Sequence, residues 1–101
     1  MIIPIQKERI PYRFEIKLGE EVYTFEIHYN AEHDYFTFDL HQNDEVLAFG
    51  ERIVYDYPLF DEIEDFPVDI IARDESRQED IVTYDNFYHT VFLYVEERVN
   101  A

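Results

Sequence analysis

The four histidines and the many carboxylates are the residues that could do chemistry in this 101-residue chain. His28 and His33 flank a predicted turn beside Glu32 and Asp34, and their nitrogen and oxygen donors could in principle hold a metal ion. His28, however, falls on the polar face of a predicted strand and His33 falls in a loop. The chain also lacks a paired-ligand pattern such as H-E-x-x-H. The sequence therefore favours no metal site.

The 24 acidic residues do not form a recognisable catalytic pattern. In so acidic a chain any carboxylate spacing arises by chance, and acid–base catalysis needs a pocket that shifts a pKa. The acidic run at 61–65 has the composition of a calcium loop, but it lacks the alternating ligands and central glycine of an EF-hand. Phosphate loops, nucleophile elbows and cysteines are absent too. The sequence predicts a protein that is not an enzyme and uses no cofactor.

The composition predicts one folded domain over residues 1–101. Hydrophobic residues make up 47% of the chain, which includes nine Phe and nine Tyr, so its acidity does not indicate disorder. The net charge of −16 repels phosphate, which argues against direct binding of nucleic acid or an anionic membrane. No leader or membrane-spanning segment is visible, so the default compartment is the cytoplasm. Basic protein partners or self-association into a homo-oligomer are the expected interactions.

Alternating apolar and polar residues in the first half predict half-buried antiparallel strands. The strands cover residues 13–18, 22–29 and 35–41, and their apolar sets share one core face. That face comprises Phe14, Ile16, Leu18, Tyr23, Phe25, Ile27, Tyr29, Phe36, Phe38 and Leu40.

Turn lengths then predict the strand register. A two-residue type II′ turn at Gly19-Glu20 pairs Phe14 with Phe25 and Arg13 with Glu26.

The next turn has two possible positions. A loop over 30–33 pairs Phe25 with Phe38, whereas a loop over 31–34 sets Glu26 opposite Asp39. Directly opposed like charges are destabilising, so the first register is preferred.

A type I′ turn at Asn43-Asp44 predicts a fourth strand. It pairs Leu40 with Leu47 and Phe38 with Phe49, and a bend or bulge at Gly50 then keeps Glu51 away from the core. The first half is therefore predicted to be a four-stranded meander.

The second half is less regular. Residues 57–65 indicate a loop or helical turn with Leu59, Phe60 and Ile63 inward, and residues 81–88 are ambiguous between a strand and a helical turn. Residues 68–72 and 90–95 indicate strands, and residues 2–5 indicate a short edge strand limited by Pro4. The predicted fold is all-β, a small antiparallel barrel or sandwich of about six to eight strands.

Charge and tyrosine placement point to protein contacts. Residues 1–17 carry a net charge of +2 and the remainder −18, an asymmetry that can orient a subunit against a partner. The alternative is a polar strand face that happens to be basic. Six tyrosines exceed the needs of the inner face, namely Tyr12, Tyr35, Tyr55, Tyr57, Tyr84 and Tyr88, and tyrosine is favoured in interfaces. The candidate interface residues are Tyr12, Arg13, Lys17, Tyr55, Tyr57, Tyr84 and Tyr88.

The order and spacing of several segments carry a family resemblance. They are Ile3-Pro4-Ile5, Leu18-Gly19, Tyr23–Ile27, Tyr29-Asn30, Phe36–Leu40, Asn43-Asp44, Gly50 with Arg52–Val54, Val68–Ile70 and Val91–Val95. In this pattern the chain resembles the small baseplate plug proteins of phages and prophages, which are short all-β tail components. The resemblance implies a non-enzymatic tail subunit that contacts hub or baseplate proteins. It also implies a location in the virion tail after synthesis in the bacterial cytoplasm.

A different class of function also fits the charge. An acidic inhibitor, or DNA mimic, would use its carboxylates to occupy a nucleic-acid-binding enzyme. Against this alternative, the acidic residues are scattered and the basic N-terminal region interrupts a continuous acidic track.

Overall fold

A computed structural model of the chain describes residues 1–98 and shows an all-β architecture. All strand pairs are antiparallel, and the strands form a four-stranded sheet in the order β1-β2-β3-β4 and a two-stranded sheet of β5 and β6. Within residues 1–98 the sheets do not close into a barrel, so the predicted all-β class is confirmed in its sandwich-like form. The last three residues of the predicted domain, 99–101, lie outside the described part. The strands are β1 (Tyr12–Leu18), β2 (Glu21–Asn30), β3 (Tyr35–Gln42), β4 (Glu45–Arg52), β5 (Val68–Arg73) and β6 (Phe92–Glu97).

The β1–β2 hairpin has the predicted register. Phe14 pairs with Phe25 and Arg13 with Glu26. Gly19 has a φ of 63°, as the first position of a type II′ turn requires. A Cβ atom at Gly19 would lie 3.2 Å from Cβ of Pro67, so this turn also packs closely against the second half of the chain.

The preferred register for β2 and β3 is wrong. Asn30 pairs with Tyr35, so the loop covers residues 31–34 and Glu26 stands opposite Asp39. Phe25 pairs with Leu40, and Ile27 with Phe38. Both registers bury the same apolar face, so the hydrophobic pattern could not separate them.

Donors from neighbouring strands compensate the opposed carboxylates. Arg13 on β1 forms an ion pair with Glu26 at 2.9 Å, and His28 on β2 lies 2.7 Å from the same side chain. The backbone N–H of Gly50 on β4 donates to Asp39 at 2.7 Å. These contacts offset the repulsion that had argued against this register.

The β3–β4 hairpin confirms the turn but not the whole pairing. Asn43 and Asp44 both have positive φ, at 52° and 66°, as a type I′ turn requires. Leu40 pairs with Ala48 instead of Leu47, because the register already shifts between His41 and Leu40.

A second register shift lies beyond Leu40, in the stretch that contains Gly50 with its φ of 67°. The bulge predicted there is confirmed. The expected pairing of Phe38 with Phe49 is wrong, because Phe38 pairs with Glu51 and Phe49 is 82% exposed. The partly buried Glu51 accepts a hydrogen bond from the Phe60 backbone N–H.

The second half combines two strands with turns. The strands predicted at 68–72 and 90–95 correspond to β5 and β6. The N-terminal segment pairs with β6 through an isolated bridge between Ile2 and Tyr94. In the ambiguous segment the Phe87 N–H donates to the Thr83 carbonyl at 3.0 Å, which is the bond of a single helical turn. Among the residues described, no helical segment has the length and apolar character needed to cross a membrane.

Aromatic side chains join the two halves in one core. The Phe25 ring centroid lies 5.2 Å from that of Phe38 within the meander and 5.8 Å from that of Phe60 in the second half. Phe36 and Phe87 make a similar contact at 4.3 Å. Such pairs contribute packing energy beyond the area that they bury.

Candidate functional site

The seven candidate interface residues differ in exposure. Arg13, Lys17, Tyr57 and Tyr84 are exposed, whereas Tyr12, Tyr55 and Tyr88 are partly buried.

Two of the partly buried tyrosines have hydrogen-bonding roles inside the fold. The Tyr88 hydroxyl donates to the Ile3 carbonyl and accepts the Leu93 N–H at 3.3 Å, and burial raises its pKa. The Tyr55 hydroxyl accepts the Asp74 N–H at 3.0 Å. Both side chains therefore tie separate segments together.

Tyr84 lies in a contact cluster with Lys7, Tyr29 and Asp34. The Lys7 ammonium lies 4.6 Å from the Tyr84 ring centroid and donates to the Tyr84 carbonyl. Asp34 accepts hydrogen bonds from the Tyr84 N–H at 2.8 Å and the Tyr29 hydroxyl at 2.7 Å. The hydrogen bond to Asp34 raises the pKa of Tyr29 to about 12. The N-terminal segment, the β2–β3 loop and residue 84 thus meet at one place.

An exposed apolar group of which the sequence identified only Tyr57 is centred on Val54. Val54 lines one cavity with Tyr57 and another with Ile81, and these three side chains are 47%, 62% and 54% exposed. We call Val54, Tyr57 and Ile81 the Val54 surface. Its rim consists of the exposed charged residues that line the same cavities, Arg52, Asp61, Glu62 and Asp80. Alternation after Gly50 could have indicated this group in the sequence, because an inward Ile53 implies an outward Val54, as the structure has them.

Phe49 forms a separate exposed feature on β4. This strand is an edge of the four-stranded sheet, and Val46 on the same strand is also exposed. The sequence reasoning placed Phe49 in the core because it allowed for only one bulge in the strand. The register shift between Leu40 and His41 comes before Phe49 along β4 and moves it from the core face, whereas Gly50 follows Phe49 and signals only the second shift.

A polar depression of about 510 Å³ is lined by residues of the second half. In it Arg73 forms ion pairs with Asp56 at 3.2 Å and with Glu96 at 2.9 Å. Asp74 accepts hydrogen bonds from its own loop, and the Ser76 hydroxyl is the main cause of its lowered pKa. These charged groups are engaged in holding the loop. The lining residues are Tyr55, Asp56, Arg73, Asp74, Glu75 and Arg77.

A histidine and two carboxylates meet on the polar face of the meander. His28 Nε2 lies 2.7 Å from Glu26 Oε2 and 3.4 Å from Asp39 Oδ2. Hydrogen bonds from Arg13 and His28 lower the pKa of Glu26. The structure groups His28 with these strand carboxylates and places His33 beside Glu32, at 3.7 Å. The sequence had suggested metal donors around one turn, from His28 and His33 with Glu32 or Asp34. The structure instead brings together His28 with Glu26 and Asp39, on strands β2 and β3.

Comparison with known proteins identifies a family. No curated protein matches the chain. A family model described as cyanophage baseplate Pam3 plug gp18 matches residues 1–98. This confirms the resemblance to baseplate plug proteins noted from the sequence. Because the match covers nearly the whole chain, the protein belongs to the family of cyanophage baseplate Pam3 plug gp18.

Proposed function

We propose that the chain is a non-enzymatic structural subunit of a phage or prophage tail baseplate. It acts as a plug or hub-associated subunit through contacts with hub or other baseplate proteins. It is made in the bacterial host cytoplasm and is located in the virion tail. The family match over residues 1–98 carries this proposal.

The polar groups of the fold support a structural role. Asp74 is 3% exposed and directs its carboxylate to backbone and hydroxyl donors of its own loop. Arg73 is held between two carboxylates. Groups used in this way stabilise loops and are not free to exchange protons with a substrate.

The Val54 surface is the proposed centre of the contact with the baseplate. Exposed apolar side chains that line adjoining cavities release water when a partner covers them. Three of the four rim residues are acidic, so a partner with an apolar centre and basic rim would match this surface. The exposed candidates Arg13, Lys17 and Tyr84 are proposed to make further contacts.

Co-purification from a host that produces tails tests this proposal. We expect the tagged wild-type chain to recover hub or baseplate proteins at low and at high salt. The double variant V54S/Y57S should lose this recovery, because it removes apolar contact area without emptying the core. V22S is the matched control, since Val22 is also an exposed apolar residue, at 52%, and lies outside the Val54 surface.

Three other outcomes would contradict either the assignment of the Val54 surface or the baseplate role itself. Equal loss with V22S would contradict the assignment of the Val54 surface. Recovery of a DNA-binding enzyme at low salt only, without tail proteins, would replace the plug by the acidic mimic, because contacts between charges weaken with salt. A homo-oligomer without tail proteins would contradict the hub contact.

A further inference from the structure

We propose that Glu26, His28 and Asp39 form a binding site for one divalent transition-metal ion of the Zn²⁺ type. The ligand atoms are Glu26 Oε2, His28 Nε2 and Asp39 Oδ2, and all lie within 4.8 Å of one another. An imidazole nitrogen with two carboxylate oxygens is a donor set that Zn²⁺ accepts, and water can complete its coordination.

The antiparallel pairing of β2 and β3 creates this site. Glu26 and His28 are two residues apart on β2, so both side chains project from the same face. Asp39 on β3 stands directly opposite Glu26 and projects from that face too. The register that opposes two carboxylates is therefore the register that brings the three ligand atoms together.

The second oxygen of each carboxylate is already held by a protein donor. Arg13 binds Glu26 through Oε1 at 2.9 Å, and the Gly50 N–H binds Asp39 through Oδ1 at 2.7 Å. These contacts orient Oε2 and Oδ2 toward His28. Outer contacts of this kind fix the direction of metal ligands and are a regular part of metal sites.

Asp39 is the most buried of the three ligand residues, and its second oxygen is less tightly held than its first. Its side chain is 5% exposed, and its Oδ2 faces His28 Nε2 at 3.4 Å, beyond the usual length of an N–H···O hydrogen bond. The single Nε2 of His28 already lies at hydrogen-bonding distance from Glu26, at 2.7 Å. Among residues 1–98, this long contact is the one ion pair of Asp39 Oδ2, and a cation bound between the three side chains would give that oxygen a shorter one.

Two of the three separations between the ligand atoms are near those that a small cation requires, and the third is below 4.8 Å. Zn²⁺ bonds to nitrogen and oxygen ligands are about 2.0–2.2 Å, which places neighbouring ligand atoms of a tetrahedral ion about 3.3 Å apart. The observed contacts from His28 Nε2 are 2.7 and 3.4 Å. A bound dication would balance the two carboxylate charges and join β2 to β3.

Calorimetric titration with ZnCl₂ of the chelator-treated full chain tests the site. We expect saturable binding of one ion per chain and a rise in Tm of about 10 °C or more when free Zn²⁺ is 100-fold above its Kd. H28Q should weaken binding at least about tenfold. H33Q is the matched control and should bind as the wild type does, since His33 is exposed in a loop outside the cluster.

A second variant and an NMR measurement test whether zinc binds at these three residues and not elsewhere on the chain. D39N retains the oxygen that accepts the Gly50 N–H but replaces Oδ2 by an amide nitrogen, so it should also lose zinc binding. In the wild type, zinc should shift the His28 side-chain nitrogen NMR signals and leave those of His33 unchanged. Absence of saturable binding, or equal affinity in the wild type and H28Q, would overturn the proposal. Neither result depends on whether the chain assembles into a baseplate.

Discussion

The four-stranded meander and the segment over residues 53–98 reach stability by different means. The meander uses antiparallel ladders between consecutive strands, and its first and third turns have two residues each, in which Gly19, Asn43 and Asp44 take positive φ. The second half has one pair of strands, and its loops are held by buried polar residues, Asp74 and Asn86. Regular alternation can therefore specify the meander. The second half depends on side chains that hydrogen-bond to backbone groups where no neighbouring strand is present to do so.

The two regions nevertheless share a core. Phe25 belongs to the meander, is fully buried, and contacts Phe60 of the second half. Because the core is shared, we expect the two regions to unfold together, as a single domain does.

The largest expected effect comes from F25A. The change removes a fully buried ring between the two regions and should lower the free energy of unfolding by about 3–5 kcal/mol. Chemical denaturation monitored by tyrosine fluorescence, with amide hydrogen exchange in both regions, measures it. Loss of protection in the meander alone would show that the regions are independent. V22A at an exposed position should cost little.

D74N should have the next largest effect and acts on the second half. Asp74 Oδ2 accepts the N–H groups of Gln78 and Glu79, both at 3.0 Å, and an amide group cannot accept with both of its ends. The lowered pKa of Asp74, caused first by the Ser76 hydroxyl, means that ionised Asp74 stabilises the folded state. This stabilisation is present above the unfolded pKa of about 3.9 and is lost as pH falls through the folded value.

The wild type and D74N should therefore differ in stability at neutral pH and converge in acid. Urea denaturation between pH 7 and the lowest pH at which the protein stays folded measures this difference. D80N is the control, because Asp80 is exposed in the same part of the chain. A gap between wild type and D74N that stays constant with pH would contradict the role assigned to the carboxylate.

G50A should have a smaller effect and acts on the irregular part of the meander. A Cβ at Gly50 has no atom within 4 Å, so the cost arises from its φ of 67° and not from a clash. We expect a loss of about 1–2 kcal/mol by thermal or chemical denaturation. G50N should cost less, because asparagine tolerates this conformation. Equal losses for both variants would indicate a cause other than the backbone angle.

D44G should have the smallest effect and should be stabilising. Asp44 has a φ of 66° at the second position of a type I′ turn, where glycine adopts the required angle without strain. We expect a gain of about 0.5 kcal/mol, visible as a small rise in Tm. D44A should lower the Tm, and a rise with both variants would show that charge removal, and not the turn, is responsible.

Particular residues show how far the sequence could predict this fold. The β1–β2 register followed from Gly19 and from the match of Arg13 with Glu26, because both signals are local to one hairpin. The β2–β3 register did not follow, since the groups that offset Glu26 and Asp39 include Arg13 on β1 and Gly50 on β4. The rule that opposed like charges on two paired strands are destabilising does not include these contacts from the other two strands.

The candidate contact surface was predictable only in part. Tyr57 was identified as a surface residue from composition, and the structure leaves it exposed. Its neighbours in the Val54 surface were not identified, because the cavities that join them depend on how the segment after β4 folds back. Phe49 was assigned to the core because the number of bulges in β4 could not be counted from alternation.

The sequence by itself determined the all-β class, the inward faces of the first three strands and the sites of the first and third turns. Alternation and positive-φ residues act within a few positions of the chain, which is why these features can be read locally. Only the tertiary structure decided the opposition of Glu26 and Asp39, their grouping with His28 and the exposure of Phe49. These features depend on contacts among strands β1 to β4, and such contacts exist only once the whole sheet has formed.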